Sequence, residues 1–390
     1  MAFDFKSLAR FTYKQLFRSR GTPYRLSPKR IGLLLLSYIL YTLIELFNWL
    51  GLALDAILFP AYRQLGVKGP VFIIGNPRSG TTFLHRLLAR DEKTFSTMRT
   101  WEMLVAPSVT MRKVFWALSA LDRRLGRPAA RCLGMLEESW QADNVVHRVA
   151  MRAPEEDEYL LVHIFSCLKI WLYVAMLDEA ERYTYFDSQM PEEDKNRIMT
   201  FYTRCLQRHL YAHNHGDKRY LAKNPHFSPV VDTLYRFFPD VKIIYLARNP
   251  LDMIPSYVSL KENEWRLLGD PEKAYGSREY ILDMAGHWYS YPLERLGQAS
   301  QDSYVVVNFN HLVNDARGTV REIYSRFGLE ISPAFDEMLR QATEQARNHE
   351  SEHEYSLREM GLTCDQIVSS YAEVFERFGF DIRECPTLGH

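Results

Sequence analysis

A short polar stretch between an apolar run and an amphipathic segment has the features of a phosphate or sulfate site. The stretch is Gly75-Asn-Pro-Arg-Ser-Gly-Thr-Thr82. The apolar run 71–74 before it predicts a buried strand, and the apolar spacing after it predicts a helix. A helix that begins at such a loop directs free N–H groups and its positive dipole end at one point. We therefore expect an anion site, with Arg78 as a fixed charge and two threonine hydroxyls as donors.

The loop differs from a Walker A motif at one deciding position. Gly75 and Gly80 have the G-x-x-x-x-G spacing, but Thr81 stands where the Walker lysine would follow. Without that lysine, a nucleoside triphosphate loses the main cation for its β- and γ-phosphates. A P-loop-type nucleotide-dependent kinase is therefore the weaker alternative.

Further cations follow predicted strands later in the chain. Lys223 ends the predicted strand 219–223, and Arg248 follows the predicted strand 240–247. Strands that alternate with helices at this spacing predict a doubly wound parallel sheet, which binds ligands at its carboxyl edge. Ser256 lies two turns into the helix after Arg248. An arginine with a nearby hydroxyl suits a phosphate monoester, which needs charge and several donors.

Two segments together resemble the nucleotide-binding motifs of the PAPS-dependent sulfotransferases of the bacterial and tyrosylprotein types (PAPS is 3′-phosphoadenosine 5′-phosphosulfate). They are Pro77-Arg-Ser-Gly-Thr-Thr82 and Arg248-Asn-Pro-Leu-Asp-Met-Ile-Pro-Ser256. The resemblance covers about residues 69–380. It implies a P-loop-like α/β fold, PAPS as sulfuryl donor and PAP as product. The reaction would move the sulfuryl group to a hydroxyl of an acceptor, with no metal required.

The resemblance also implies roles for individual residues. The 5′-phosphosulfate would be bound by Arg78, Ser79, Gly80, Thr81 and Thr82, and the 3′-phosphate by Arg248 and Ser256. Glu102, after the first helix, would be the base that accepts the acceptor's proton. Arg78 and Lys223 would stabilise the transferring sulfuryl and the leaving group.

The middle of the chain is predicted to be helical. Residues 107–215 are rich in aromatic residues and predict a helical cap that binds the acceptor. The acidic cluster 153–158 resembles a segment of a bacterial sulfotransferase subfamily, and a helix start explains it better than a metal site. The sequence leaves the roles of His147, His163 and His353 open.

The N-terminal region differs in character from the rest. Residues 1–30 hold eight Lys and Arg against Asp4 alone, and 31–54 are strongly apolar. The polar residues within 31–54 fall on one stripe, which favours an amphipathic helix on a membrane surface. A spanning helix and a helix packed in the protein or an oligomer interface are the alternatives. We divide the chain into 1–66, a basic arm with a membrane-associating helix, and 67–390, the sulfotransferase domain.

Composition limits the partners and the location. Acidic and basic residues balance at 48 each, so no nucleic-acid partner is expected. The expected acceptor is a small molecule, a lipid or a carbohydrate, and a homo-oligomer is possible. The basic arm and five scattered cysteines, expected to be reduced, favour the cytoplasmic face of a membrane. A Golgi-type membrane protein and a non-catalytic membrane-bound nucleotide-binding scaffold are the alternatives.

Overall fold

A five-stranded parallel sheet forms the centre of the fold. The computed structural model describes residues 2–132, 134, 151–268, 277–347, 357 and 360–382. The strands are β1 Val71–Gly75, β2 Phe95–Ser96, β3 Arg219–Lys223, β4 Lys242–Ala247 and β5 Tyr304–Asn308. They lie in the order β2-β3-β1-β4-β5, and every neighbouring pair runs parallel. The predicted α/β fold with a parallel sheet is confirmed.

Both faces of the sheet are buried, which explains the continuous apolar runs of its strands. Every position of β1 is buried. Successive side chains point to opposite faces, so Val71 and Ile73 belong to one core cluster and Phe72 to the other. These two clusters fix the strands in register and bring their carboxyl ends to one edge.

Helices surround the sheet and supply its connections. In the first half they are α1 Phe5–Phe17, α2 Pro28–Leu58, α3 Thr81–Leu88, α4 Thr100–Leu104, α5 Val109–Arg124, α6 Leu168–Tyr173, α7 Leu177–Thr184, α8 Phe186–Gln189 and α9 Glu192–Ala212. The later ones are α10 Val231–Phe237, α11 Pro250–Leu268, α12 Ser277–Gly297, α13 Phe309–Asn314, α14 Ala316–Phe327, α15 Pro333–Arg347, α16 Cys364–Ser370 and α17 Ala372–Phe378. Short 3-10 helices are Pro60–Gln64, Asp157–Ile164 and Pro225–Val230.

The described part of 107–215 is helical, as the sequence predicts. The acidic cluster starts a 3-10 helix, since Asp157 and Glu158 occupy the first turn of the segment Asp157–Ile164. Carboxylates at this end of a helix are favoured by its dipole. The division of the chain at residue 66 and the acceptor-binding role of the cap stay predictions.

The N-terminal region forms two helices, and the apolar one is longer than predicted. Helix α2 has 31 residues and begins at the N-cap Ser27, whose hydroxyl accepts from the Arg30 N–H at 3.2 Å. By length and apolar composition alone this helix would suffice to cross a membrane.

The cysteines do not all behave as the sequence suggests. Cys132, Cys167 and Cys205 are free thiols. Cys364, by contrast, is disulfide-bonded. The expectation that every cysteine is reduced is therefore wrong for Cys364, because spacing along the chain does not reveal which thiols meet in the fold.

Candidate active site

The loop between β1 and α3 has a backbone that favours glycine at two places. Gly75 has a φ of 138° and Gly80 a φ of 85°. A Cβ atom would lie 2.3 Å from the Leu246 carbonyl oxygen at position 75 and 2.6 Å from the Phe309 ring at position 80. The loop therefore turns tightly into the N-terminus of α3, whose N-cap provides no side-chain hydrogen bond.

This loop borders a cavity of about 260 Å³ at the carboxyl edge of the sheet. The loop and the start of α3 contribute Pro77, Arg78, Gly80, Thr81 and Thr82. Helix α11 contributes Tyr257, Leu260, Lys261 and Glu264, and the other lining residues are Glu156, Lys169, Tyr173, Pro225, His226, Arg248 and Phe309. The lining holds more cationic than anionic side chains, which suits a ligand with several negative charges.

Arg78 connects the two motifs that the sequence singles out. Its Nε donates to Ser256 Oγ at 2.9 Å, and its carbonyl oxygen accepts from Arg248 Nη1 at 2.8 Å. Its φ of 67° is unusual for a residue with a side chain, and such strain persists only where the surroundings enforce it. Arg248 lies over the Phe309 ring, with 4.5 Å between Cζ and the ring centroid. The structure thus joins Arg78, Arg248 and Ser256 at one side of the cavity.

Lys223 lies behind the cavity wall and does not line it. Its side chain is fully buried. Its Nζ donates to Thr82 Oγ1 at 3.2 Å, and it also contacts Glu155 at 3.2 Å and Glu156 at 3.1 Å. Thr82 and Glu156 both line the cavity. Lys223 therefore holds two lining residues in place and adds positive charge from behind.

Glu156 forms ion pairs with two lysines at the cavity wall. Lys223 contacts one carboxylate oxygen and Lys169 the other. Burial opposes the charge of Glu156, but the two lysines outweigh it and hold its pKa well below the usual value. A carboxylate of such low proton affinity is a poor base, and its role is to orient Lys169.

A histidine and a carboxylate form a pair in the same cavity. His226 lines the cavity, and its Nδ1 is hydrogen-bonded to Glu158. Glu158 also accepts from the Cys167 thiol at 3.2 Å and from the Lys169 N–H at 3.3 Å. Burial would raise the pKa of Glu158, but His226, the charge of Lys169 and the Cys167 thiol lower it below the usual value. In a neutral His226, an ionised Glu158 would hold the ring proton on Nδ1 and leave the lone pair on Nε2.

Tyr257 brings an unsatisfied donor to the cavity. Its hydroxyl is buried and has no hydrogen-bond partner among the residues that the structure describes. Burial holds its pKa well above the usual value, so the hydroxyl stays protonated. A buried donor without an acceptor is unfavourable, and a ligand oxygen in the cavity would satisfy it.

Among the residues that the structure describes, two groups of side chains have the spacing of metal ligands. They are Glu102, His209 and His213, and Glu156, Glu158 and His226. In the first group Arg112 Nη1 lies 2.9 Å from His209 Nδ1, and in the second Lys169 pairs with Glu156. In each group one of the candidate ligands is thus already bound to a cationic side chain. The expectation that the reaction requires no metal stays a prediction.

The sequence profile of the sulfotransferase family matches residues 70–333. The chain belongs to the sulfotransferase family. This membership makes the protein a sulfotransferase enzyme, and it removes the kinase and the non-catalytic scaffold as alternatives. It also implies PAPS as the sulfuryl donor.

Several proteins similar to this sulfotransferase come from mycobacteria. Omega-hydroxy-beta-dihydromenaquinone-9 sulfotransferase Stf3 of Mycobacterium bovis is 24% identical over 319 residues, which cover 80% of this chain and 75% of the relative. The crystal structure of STF9 from Mycobacterium avium matches with a TM-score of 0.66 and 19% identity over 84% of this chain and 81% of that one. STF1 from Mycobacterium tuberculosis gives a TM-score of 0.60 and 23% identity over 85% and 81%. These structures show the sulfotransferase fold.

The predicted base, Glu102, lies outside the cavity of the sulfotransferase. It is buried at the start of α4, where Oε2 accepts from the Arg99 N–H at 2.8 Å. Its Oε1 lies 2.6 Å from His213 Nε2 and 3.8 Å from Arg112 Nε. Burial favours the neutral carboxyl, but Arg112 and His213 hold its pKa well below the usual value. Glu102 is thus placed as a structural anchor of the segment after α3.

We expect Glu102→Gln to lower stability with little effect on the reaction. The substitution leaves Arg112 buried without its anion, which should cost roughly 2–4 kcal/mol near neutral pH. Because the folded pKa of Glu102 lies below its unfolded value, its contribution is present above that value and is lost as the pH falls. Urea unfolding at neutral and acidic pH measures both effects, and the stability difference should shrink in acid.

Turnover of the same variant tests the catalytic assignment. Folded Glu102→Gln protein should keep kcat within a few-fold of the wild type. A loss of about 100-fold or more, with normal donor binding, would restore Glu102 as the base.

Several residues of the site were not singled out from the sequence. They are Lys169, His226 and Tyr257, while Glu156 and Glu158 were noted only as members of the acidic cluster 153–158 at a helix start. His226 had a detectable signal, since it follows the end of β3 at the carboxyl edge of the sheet. His163 is structural, with Nδ1 2.7 Å from Glu45 and Nε2 2.6 Å from the Met103 carbonyl oxygen. His147 and His353 lie outside the described residues.

Proposed function

We propose that this sulfotransferase moves the sulfuryl group of PAPS to a hydroxyl of a lipid-like alcohol. One observation carries the proposal, namely the convergence of Arg78, Ser256 and Arg248 beside the N-terminus of α3. The two motifs that would bind the two ends of PAPS are hydrogen-bonded to each other there.

The donor would occupy the cavity with its phosphosulfate at the loop. Thr81, Thr82 and the first N–H groups of α3 would donate to the sulfate and the 5′-phosphate. Arg248 would pair with the 3′-phosphate, while Ser256 keeps Arg78 in position. The unsatisfied hydroxyl of Tyr257 supplies one more donor.

The reaction would be an in-line displacement at sulfur. The acceptor oxygen attacks the sulfur atom, and the bond from sulfur to the 5′-phosphate oxygen breaks, which gives a sulfate ester and PAP. His226 Nε2 takes the hydroxyl proton, and ionised Glu158 stabilises the imidazolium that forms. Arg78 and Lys169 offset the charge that develops on the leaving phosphate.

The acceptor assignment rests on the cavity and on one relative. Tyr173 and Leu260 give the cavity apolar walls beside its charges. The mycobacterial relative is named for omega-hydroxy-beta-dihydromenaquinone-9, a hydroxylated lipid-like acceptor. A primary hydroxyl at the end of an apolar chain would suit both the apolar walls of the cavity and His226 as the base.

A transfer assay tests the proposal. The full chain is incubated with PAPS and long-chain alcohols, hydroxylated isoprenoids, glycolipids and short water-soluble alcohols, and mass spectrometry follows PAP and the sulfate esters. We expect PAP to appear in step with a sulfated long-chain product. PAPS that is only hydrolysed, or transfer to short alcohols alone, would contradict the proposed acceptor class.

A further inference from the structure

The surface of α2 is divided into a polar stripe and an apolar remainder. Between Ile31 and Leu58 the only charged residues are Glu45 and Asp55, and both are buried against the protein. The outward surface exposes large apolar side chains along the whole helix. Among the most exposed are Leu35, Ile39, Leu43, Leu46, Leu50 and Ile57.

The polar stripe is bound to the catalytic body by specific hydrogen bonds. Glu45 pairs with His163 at 2.7 Å, and Asn48 donates to the Leu104 carbonyl oxygen at 2.9 Å. Asp55 accepts from Arg208 Nε at 3.0 Å. A helix that crossed a bilayer would have to break these contacts and place two carboxylates in hydrocarbon, which is unfavourable.

Helix α5 extends the apolar surface. Its exposed Val114, Leu118 and Leu121, together with the C-cap Leu125, recur every three or four positions and therefore lie on one side of the helix. The helix runs antiparallel to α2, because Asp55 near the end of α2 accepts from the N–H groups at the start of α5, at 2.8 Å, and Phe47, earlier in α2, packs against Phe115, later in α5. We call the exposed apolar residues of α2 and α5 the docking face.

Exposed cations lie toward one end of the docking face. The segments 18–29 and 123–132 contain no acidic residue. Their exposed basic residues are Arg18, Arg20, Arg25, Lys29, Arg123, Arg124, Arg127 and Arg131. An apolar surface beside clustered cations matches a leaflet with anionic headgroups, in which apolar side chains enter the acyl region and cations stay at the headgroups.

We propose that the docking face lies on the surface of an anionic bilayer without crossing it. The basic residues beside it favour the cytoplasmic leaflet. The 3-10 helix Asp157–Ile164 connects the face to the active site, since Val162 accepts from Tyr41 of α2 at 2.8 Å and Glu156 just before it lines the cavity. The helix is about 16 Å long at the usual rise of about 2 Å per residue. One short element thus joins the helix that carries the docking face to the wall of the cavity.

Vesicle flotation of the full chain tests the docking face without donor or acceptor, so its result is independent of the transfer reaction. The wild type should float with vesicles of phosphatidylcholine and phosphatidylglycerol, and less with phosphatidylcholine alone. Leu118→Glu/Leu121→Glu should reduce binding at least tenfold while PAP affinity stays normal. Ile382→Glu, an exposed apolar position outside the docking face, is the matched control.

Three results would overturn the proposal. The double variant could bind vesicles as the wild type does. The wild type could instead form a dimer that ignores vesicles and that the double variant turns into monomers, which would make the face a contact between two copies. Carbonate-resistant membrane insertion of both proteins would make α2 a spanning helix.

Discussion

His226→Asn should lower kcat by about 10²–10⁴-fold with donor binding intact, the range expected when a general base is lost. Asparagine keeps a donor toward Glu158 but has no lone pair on nitrogen to accept the acceptor's proton. The effect should appear in kcat more than in KM, because the proton moves only as the transition state forms. Fixed-time assays at saturating PAPS and acceptor measure kcat, and calorimetry with PAP measures binding at the donor site.

His287→Asn is the matched control for this experiment. His287 lies half-buried on α12, where its ring packs against Tyr185 and Tyr291, and it does not line the cavity. Its kcat should stay within about twofold of the wild type. A His226→Asn enzyme with wild-type turnover would show that another group takes the proton.

Arg78→Ala should produce the second large loss of kcat. The guanidinium is held in the cavity by Ser256, and its backbone conformation is enforced by the loop. Removing a preorganised charge from a developing anion costs about 10²–10³-fold in kcat. PAP affinity should fall less, by roughly tenfold, because one charge-assisted contact is lost from several.

Arg90→Ala is the matched control, and it tests whether the loss of kcat depends on where the positive charge lies. Arg90 is an exposed arginine just after the same helix, α3, and its removal should leave kcat nearly unchanged. If Arg78→Ala and Arg90→Ala had the same small effect at saturating PAPS, the loop arginine would have no part in the transfer. The kcat of Arg78→Lys should lie between those of the wild type and Arg78→Ala, because lysine keeps the charge but lacks the planar guanidinium.

The fold is predictable because its signals are local. The apolar runs of β1 and β4, the glycine spacing of the loop and the residue at each strand end are all visible along the chain. Parallel strands bring such ends to one edge, so the amino-acid sequence alone places Arg78 and Arg248 near each other. The same rule applied to β3 would have indicated His226.

The surroundings of Glu102, the predicted base, were not predictable in this way. Glu102 has the expected order and spacing, but the direction of a side chain depends on what packs around it. In the fold its carboxylate contacts Arg112 and His213, and Glu102 does not line the cavity. The acidic cluster reads as a helix start, and only the fold shows that Glu156 meets two lysines there.

The contacts of the N-terminal helix α2 also became visible only in the fold. The polar stripe of α2 was visible from the sequence, but not the partners that bind it. Helix α5 gave no sign of belonging to the same surface, because its apolar stripe looks like an ordinary core-facing pattern.

Calorimetric binding of PAP to the full chain, with EDTA present and ATP as control, shows whether the cavity binds the PAPS nucleotide. We expect micromolar or tighter PAP binding, about −8 kcal/mol or better, with ATP weaker and with a clear loss of PAP affinity in Arg248→Ala. Folded protein that ignores PAP but binds ATP in the presence of magnesium would contradict the assignment of the cavity to PAPS.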